Sequence, residues 1–119
     1  RSSDLAVRHA EVYRGSFAIS VCPSENVESP TIVGAQAANE LLNIIGIKAS
    51  FVLTEYNDKI YISSRSIDEI NVQIIMEKLG GGGHLNVAGA QLEGVTIVQA
   101  KRMIQDTLDE MLKEGDIEE

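Results

Sequence analysis

Gly80-Gly81-Gly82-Gly83-His84-Leu85-Asn86-Val87-Ala88-Gly89-Ala90 is the stretch around which the chain is organised. Four successive glycines can take positive φ and let another group come close to the backbone, so their amides can converge on an anion. A glycine run at an isolated surface turn is ordinarily only a turn. Two neighbours argue for more. Ile70, Ile74, Ile75 and Leu79 recur at helical spacing and predict a helix over 70–79 that delivers the chain into the glycines. His84 closes the run with a ring that can donate to a phosphate oxygen from either nitrogen. No Lys-Ser/Thr pair follows the glycines, and the G-x-G-x-x-G order after a strand is missing, so this is neither a Walker loop nor a dinucleotide fingerprint.

Just upstream, two β-prone runs, 49–55 and 59–64, flank Tyr56-Asn57-Asp58, which is turn chemistry for an antiparallel hairpin. In the second run Ile60 and Ile62 alternate with Tyr61 and Ser63, which predicts one buried face and one face open to solvent or ligand. The run ends in Ser63-Ser64-Arg65-Ser66. Arg65 is therefore expected just past a strand end, where binding residues often sit in α/β folds. Further upstream, residues 2–13 read as a helix or linker capped by Ser3 or Asp4, Phe17 to Cys22 as a mostly buried strand ended by Pro23, and 29–45 as a helix. That last helix has Ser29 as cap, Pro30 in its first turn, and Val33, Ala37, Leu41 and Ile44 on one side; Gly34, Ala35, Ala37 and Ala38 allow close approach to a sheet. The helix over 70–79 starts at Asp68 or Asn71. Beyond the glycines, 87–92 reads as a strand, and Thr96-Ile97-Val98-Gln99 is a capping-box pattern that opens an amphipathic helix to about Lys113. The acidic end is expected to fray. The order of elements suggests an α/β fold, a small mixed β-sheet packed with helices.

A chain of 119 residues suits one domain with a real core. It starts at Arg1 and its first methionine is Met76, so it reads as a piece of a longer protein, with no signal peptide or membrane span in this stretch. The formal net charge of −8 opposes wrapping of long nucleic acids. A short nucleotide needs only a local positive pocket, which Arg65, His84 and a glycine nest can supply. Cys22 stands alone, so no internal disulfide forms, as suits a reducing cytoplasm. A packing role on its strand fits it better than a catalytic thiol.

Candidate binding residues are therefore Arg65, Gly81, Gly82, Gly83 and His84, with Ser63, Ser64 and Asn86 as further possibilities. Arg65 can pair bidentately with phosphate, against the ordinary alternative of a solvated strand-end arginine. The serines can add hydroxyl donors, although serines near a turn are commonly just turn chemistry. His9 and His84 are the only histidines and no Asp-His run is present, so the ligands of a two-metal phosphodiesterase cannot be assembled here, nor can a Ser-His-Asp triad. The chain reads as able to bind and unable to cleave.

The glycine stretch Gly80 to Ala90, preceded by Ser63-Ser64-Arg65-Ser66 and Ile70-Asn71-Val72, resembles the DHHA1 domain, the substrate-binding half of DHH-type phosphoesterases. It is most similar to the C-terminal domain of GdpP/YybT-type cyclic-di-AMP phosphodiesterases. The resemblance implies a DHHA1-like fold over 16–113, with 1–15 as a linker or helix from an upstream domain and 114–119 as an acidic tail. It implies a neighbouring DHH domain that holds manganese and hydrolyses cyclic-di-AMP to pApA, while Gly81, Gly82, Gly83 and His84 contact phosphate and Arg65 contacts phosphate or base. It further implies a membrane-anchored, dimeric parent with this domain in the cytoplasm, and no metal or catalytic residue in this segment. Three alternatives stay open: the binding half of a nanoRNase or pAp phosphatase, a non-catalytic nucleic-acid-binding module like the C-terminal domain of alanyl-tRNA synthetases, and a purely structural domain with no nucleotide affinity.

Overall fold

The computed structural model describes residues 2–22, 29–67 and 69–119. Its elements run α1 (Ser2–Arg8), β1 (Glu11–Tyr13), β2 (Phe17–Cys22), α2 (Pro30–Leu41), β3 (Ala49–Tyr56), β4 (Lys59–Ser66), α3 (Val72–Lys78), β5 (Gly82–Gly83), β6 (Val87–Glu93) and α4 (Ile97–Glu114). The strands make one mixed sheet in the order β1-β2-β3-β4-β6-β5. Only β2 and β3 are parallel, and α2 makes the crossover between them.

Helices cover both faces. On one, α3 and α4 pack over Phe17, Ile19, Phe51, Leu53, Ile60 and Ile62, with Ala100, Ile104, Leu108 and Met111 of α4 fully buried. On the other, α1 and α2 enclose a smaller cluster of Ala6, Ala18, Cys22, Ala37, Ala38, Leu41, Ile47 and Val52. The small residues of α2 set the distance of closest approach. A Cβ on Gly34 would come within 2.7 Å of Ser63 Oγ, so the helix lies directly on β4 at that point.

Several local signals act as their chemistry dictates. Ser29 caps α2 by accepting from the Ile32 amide, and Asn71 caps α3 by accepting from the Gln73 and Ile74 amides. Thr96 and Gln99 close both bonds of the capping box, at 3.1 and 2.8 Å. Asn57 and Asp58 both take positive φ, the backbone that a two-residue hairpin turn requires.

Other expectations are corrected. The N-terminal helix begins at Ser2, which puts Asp4 in its first turn rather than at a cap, and 11–13 form a strand whose register on β2 is Val12↔Ala18. Helix α2 stops at Leu41 instead of running to 45. The amides of Leu42, Asn43 and Ile44 reach only three residues back, which tightens the chain so that Ile47 can turn in under the second cluster. Ile44 and Ile45 are left exposed. The expected strand stop at Pro23 and the alternative start at Asp68 lie outside the described residues.

The chain's end does not fray. Gly115 adopts left-handed φ, the Asp116 amide donates to Met111 O at 2.9 Å, and Ile117 is buried in the main core. Tyr13 and Arg14, at the β1–β2 turn, fasten this region. The Tyr13 hydroxyl (2.7 Å) and Arg14 Nε (2.6 Å) both donate to Asp109 Oδ1, and Arg14 Nη1 reaches Glu119 at 3.2 Å. The Tyr13 hydrogen bond holds the Asp109 carboxyl below its ordinary value, and the same bond raises Tyr13.

Candidate functional site

Where α2 ends its cover of the sheet, the outer face of β4 and β6 is open. Three cross-strand pairs line it: Tyr61 opposite Gln91, Ser63 opposite Gly89 and Arg65 opposite Val87. Thr31 and Ala35 of α2 stand along one side, and Gly80 to His84 close the other. Together they bound an open-sided groove of about 600 Å³. The alternation seen in the sequence thus has its consequence: Ile60 and Ile62 face the core, and the opposite face of the same strand carries Tyr61, Ser63 and Arg65.

Arg65 lies inside β4, one residue from its end, rather than beyond it. It is half-buried, and among the described residues its one side-chain hydrogen bond runs from Nη1 to Ser64 O at 2.8 Å. Among the described residues no carboxylate pairs with it. Burial lowers its pKa from the ordinary arginine value, yet a guanidinium stays charged in a protein. The groove therefore contains a partly desolvated, uncompensated cation. A bound anion would relieve it.

The glycines turn out to be needed for close packing as much as for turning. Gly80 and Gly81 close α3, their amides donating to Glu77 O at 3.1 Å and Met76 O at 2.8 Å. A Cβ on Gly81 would lie 2.1 Å from Gly89 O, and one on Gly83 would lie 2.5 Å from Ala88 Cα. Gly82 and Gly83 form β5, paired with Gly89 and Ala88 at the edge of the sheet. The expected nest of converging amides is therefore reduced, because the Gly81 and His84 amides donate within the fold, the latter to Val87 O at 2.7 Å. By the alternation of an antiparallel ladder, the Gly83 amide is the one directed to the free edge.

The His84 ring is exposed and makes no hydrogen bond with any described residue. Asn86 holds the turn that presents it: Nδ2 donates to Ser66 Oγ (3.1 Å) and Ile67 O (2.9 Å), and the Asn86 carbonyl accepts from the Ser66 amide. Ser63 lines the groove. Ser64 is on the opposite face, wholly buried, with its hydroxyl unpartnered. Tyr61, Gln91, Thr31 and Ala35 were not singled out as site residues from sequence. Tyr61 has the same strand parity as Arg65, which was the available signal; the other three depend on register and helix placement that only the fold reveals.

Manganese prefers carboxylate, water and imidazole ligands. No carboxylate lines the groove, and among the described residues no three His, Cys, Asp or Glu side chains come together. The donor set fits an anion and does not fit a metal ion.

The family model for the DHHA1 domain matches residues 15–114. The chain is 46% identical over 104 residues to the cyclic-di-AMP phosphodiesterase PdeA of Listeria monocytogenes serotype 1/2a, covering 87% of this chain and 16% of that protein. It is 37% identical over 111 residues to the cyclic-di-AMP phosphodiesterase GdpP of Bacillus subtilis, covering 92% of this chain and 17% of that one. The chain thus spans about one sixth of the length of these relatives. An exopolyphosphatase-related protein of Bacteroides fragilis shares the fold, with a TM-score of 0.81 at 22% identity over 93% of this chain and 34% of its own. A family model that matches 15–114, backed by relatives 37–46% identical, shows that the chain belongs to the DHHA1 domain family.

Proposed function

We propose that this domain is the substrate-holding half of a cyclic-di-AMP phosphodiesterase, and that its groove takes a phosphate of the cyclic dinucleotide. The observation that carries this is Arg65, a half-buried guanidinium with no carboxylate partner among the described residues, at the floor of a groove closed by the glycine edge and His84. The names of the similar phosphodiesterases supply the substrate. Arg65 binds phosphate oxygens in its fork, His84 donates from the opposite wall, the glycines Gly81 to Gly83 let the anion come close to the backbone, and the anion is held between them. Hydrolysis belongs to a DHH domain elsewhere in the parent chain, which is where manganese is assigned. The same proposal makes the parent a membrane-anchored homodimer that holds this domain in the cytoplasm, with 16–113 as the substrate-binding unit. The net charge of −8 favours a short nucleotide over a long one.

The test is cyclic-di-AMP binding and hydrolysis by the full-length protein carrying Arg65→Ala or His84→Ala. A charge-assisted hydrogen bond contributes about 1.5–3 kcal/mol, so Arg65→Ala is expected to weaken binding roughly 10- to 100-fold with the circular dichroism unchanged. Wild-type affinity and turnover in both variants would remove the site assignment.

A further inference from the structure

The groove is larger than an anion alone needs. Arg65 and the glycine edge occupy one end of about 600 Å³, and the other end carries no charge. The β4–β6 pairs grade along it. Arg65 faces Val87 at the charged end. In the middle Ser63 faces Gly89, which raises no side chain and leaves a trough; a Cβ there would lie 2.8 Å from Ile62 O. At the far end Tyr61 faces Gln91, four residues along the strand from Arg65, or about 13 Å. Directly opposed residues on neighbouring strands have Cβ atoms about 5 Å apart, so Tyr61 and Gln91 act side by side. Neither side chain hydrogen-bonds to a described residue. Tyr61 is half-buried, which limits its ring, whereas Gln91 is exposed and free to turn its amide inward.

Resting on the proposed binding of an adenine dinucleotide, we propose that Tyr61 and Gln91 form the base site of this groove and select adenine over guanine. The phosphate sits at Arg65, the sugar lies over Gly89 beside the α2-covered Ser63, and the base reaches the uncharged end. Tyr61 gives it an aromatic surface, which any base can use. Gln91 gives discrimination: Oε1 accepts from the adenine N6 amino group while Nε2 donates to N7. Guanine presents acceptors at both O6 and N7, so the Gln91 carbonyl would face a lone pair.

The experiment compares equilibrium binding of cyclic-di-AMP and cyclic-di-GMP by the full-length protein, together with kcat/KM for each. Gln91→Ala is expected to reduce the preference for cyclic-di-AMP about tenfold or more, and Gln91→Arg to shift it towards cyclic-di-GMP, because arginine pairs with guanine O6 and N7. Tyr61→Ala is expected to weaken both ligands about equally, and Tyr61→Phe to restore them. Gln91 is exposed, so its replacement leaves the fold intact and any change reads out recognition. An unchanged preference in both Gln91 variants, with Arg65→Ala still defective, overturns the base site and leaves the phosphate site standing. If the wild-type protein binds neither dinucleotide, the proposed function and the base site fall together.

Discussion

Gly81→Ala, set beside Gly82→Ala, separates steric need from mere flexibility in the glycine run. The two positions are adjacent, neither takes positive φ, and both gain one methyl group. At Gly82 that methyl meets nothing within 4 Å. At Gly81 it arrives 2.1 Å from Gly89 O, more than 1 Å inside ordinary contact with backbone that cannot rotate away, and 2.7 Å from Ala90 Cα and Cβ. The only relief is to move β5 off β6, and the Gly81 amide resists because it caps α3 through Met76 O at 2.8 Å. Overpacking of this kind costs about 1–3 kcal/mol. The upper half of that range, about 2–3 kcal/mol, is expected here, since backbone must shift. With a urea m-value of about 1–3 kcal/mol/M, the midpoint falls by roughly 0.7–3 M. Gly82→Ala should stay within about 0.5 kcal/mol of the parent. The assay is urea unfolding followed by circular dichroism, with cyclic-di-AMP binding measured in parallel. Equal midpoints for the two variants would refute the close packing of β5 on β6.

Asn86→Ala removes two hydrogen bonds, to Ser66 Oγ and Ile67 O, and is expected to cost about 1–2 kcal/mol and to speed hydrogen exchange at the His84 amide; unchanged exchange would show that the turn holds without it. Asp109→Ala tests pH dependence. The lowered carboxyl of Asp109 contributes stability that is present above the unfolded value near 4 and is lost as pH falls through the folded one. Tyr13 has the opposite sense at high pH: its proton is held longer in the folded state, so stability declines as pH rises past about 10. Unfolding midpoints across pH should therefore flatten at both limits in Asp109→Ala, and tyrosinate absorbance should show Tyr13 titrating closer to its ordinary value. The neutral-pH loss is expected to be small, because solvent screens the Arg14–Asp109 pair.

The sequence disclosed those parts of the fold that local chemistry determines. The Thr96–Gln99 box, the Asn71 cap and the Asn57-Asp58 turn each operate through residues a few positions apart, so their signals survive without tertiary context. Strand β5 was hidden because glycines carry neither β-propensity nor alternation, and its existence depends on β6 lying close enough to pair. Strand β1, three residues long, is specified by its register on β2. The ordered end of the chain follows from burial of Ile117 in a core assembled from distant segments. In the site, Arg65, Ser63 and the glycines were legible as types and positions. The alternation of β4 also placed Tyr61 on the open face; which amides remain free depends on the register of β5 on β6.

The fastening of Tyr13 and Arg14 to Asp109 also bears on the order in which the molecule assembles. Tyr13 and Asp109 are 96 residues apart, whereas the β3–β4 hairpin closes through a two-residue turn. Closing a long loop is entropically more demanding than closing a short one, so the β3–β4 hairpin can organise early and the Tyr13–Asp109 contact forms late. Contacts absent from the folding transition state govern escape from the native state. Loss of Asp109 should accordingly leave the refolding rate unchanged and hasten unfolding, so that whatever stability the clasp contributes appears wholly in the lifetime of the folded domain.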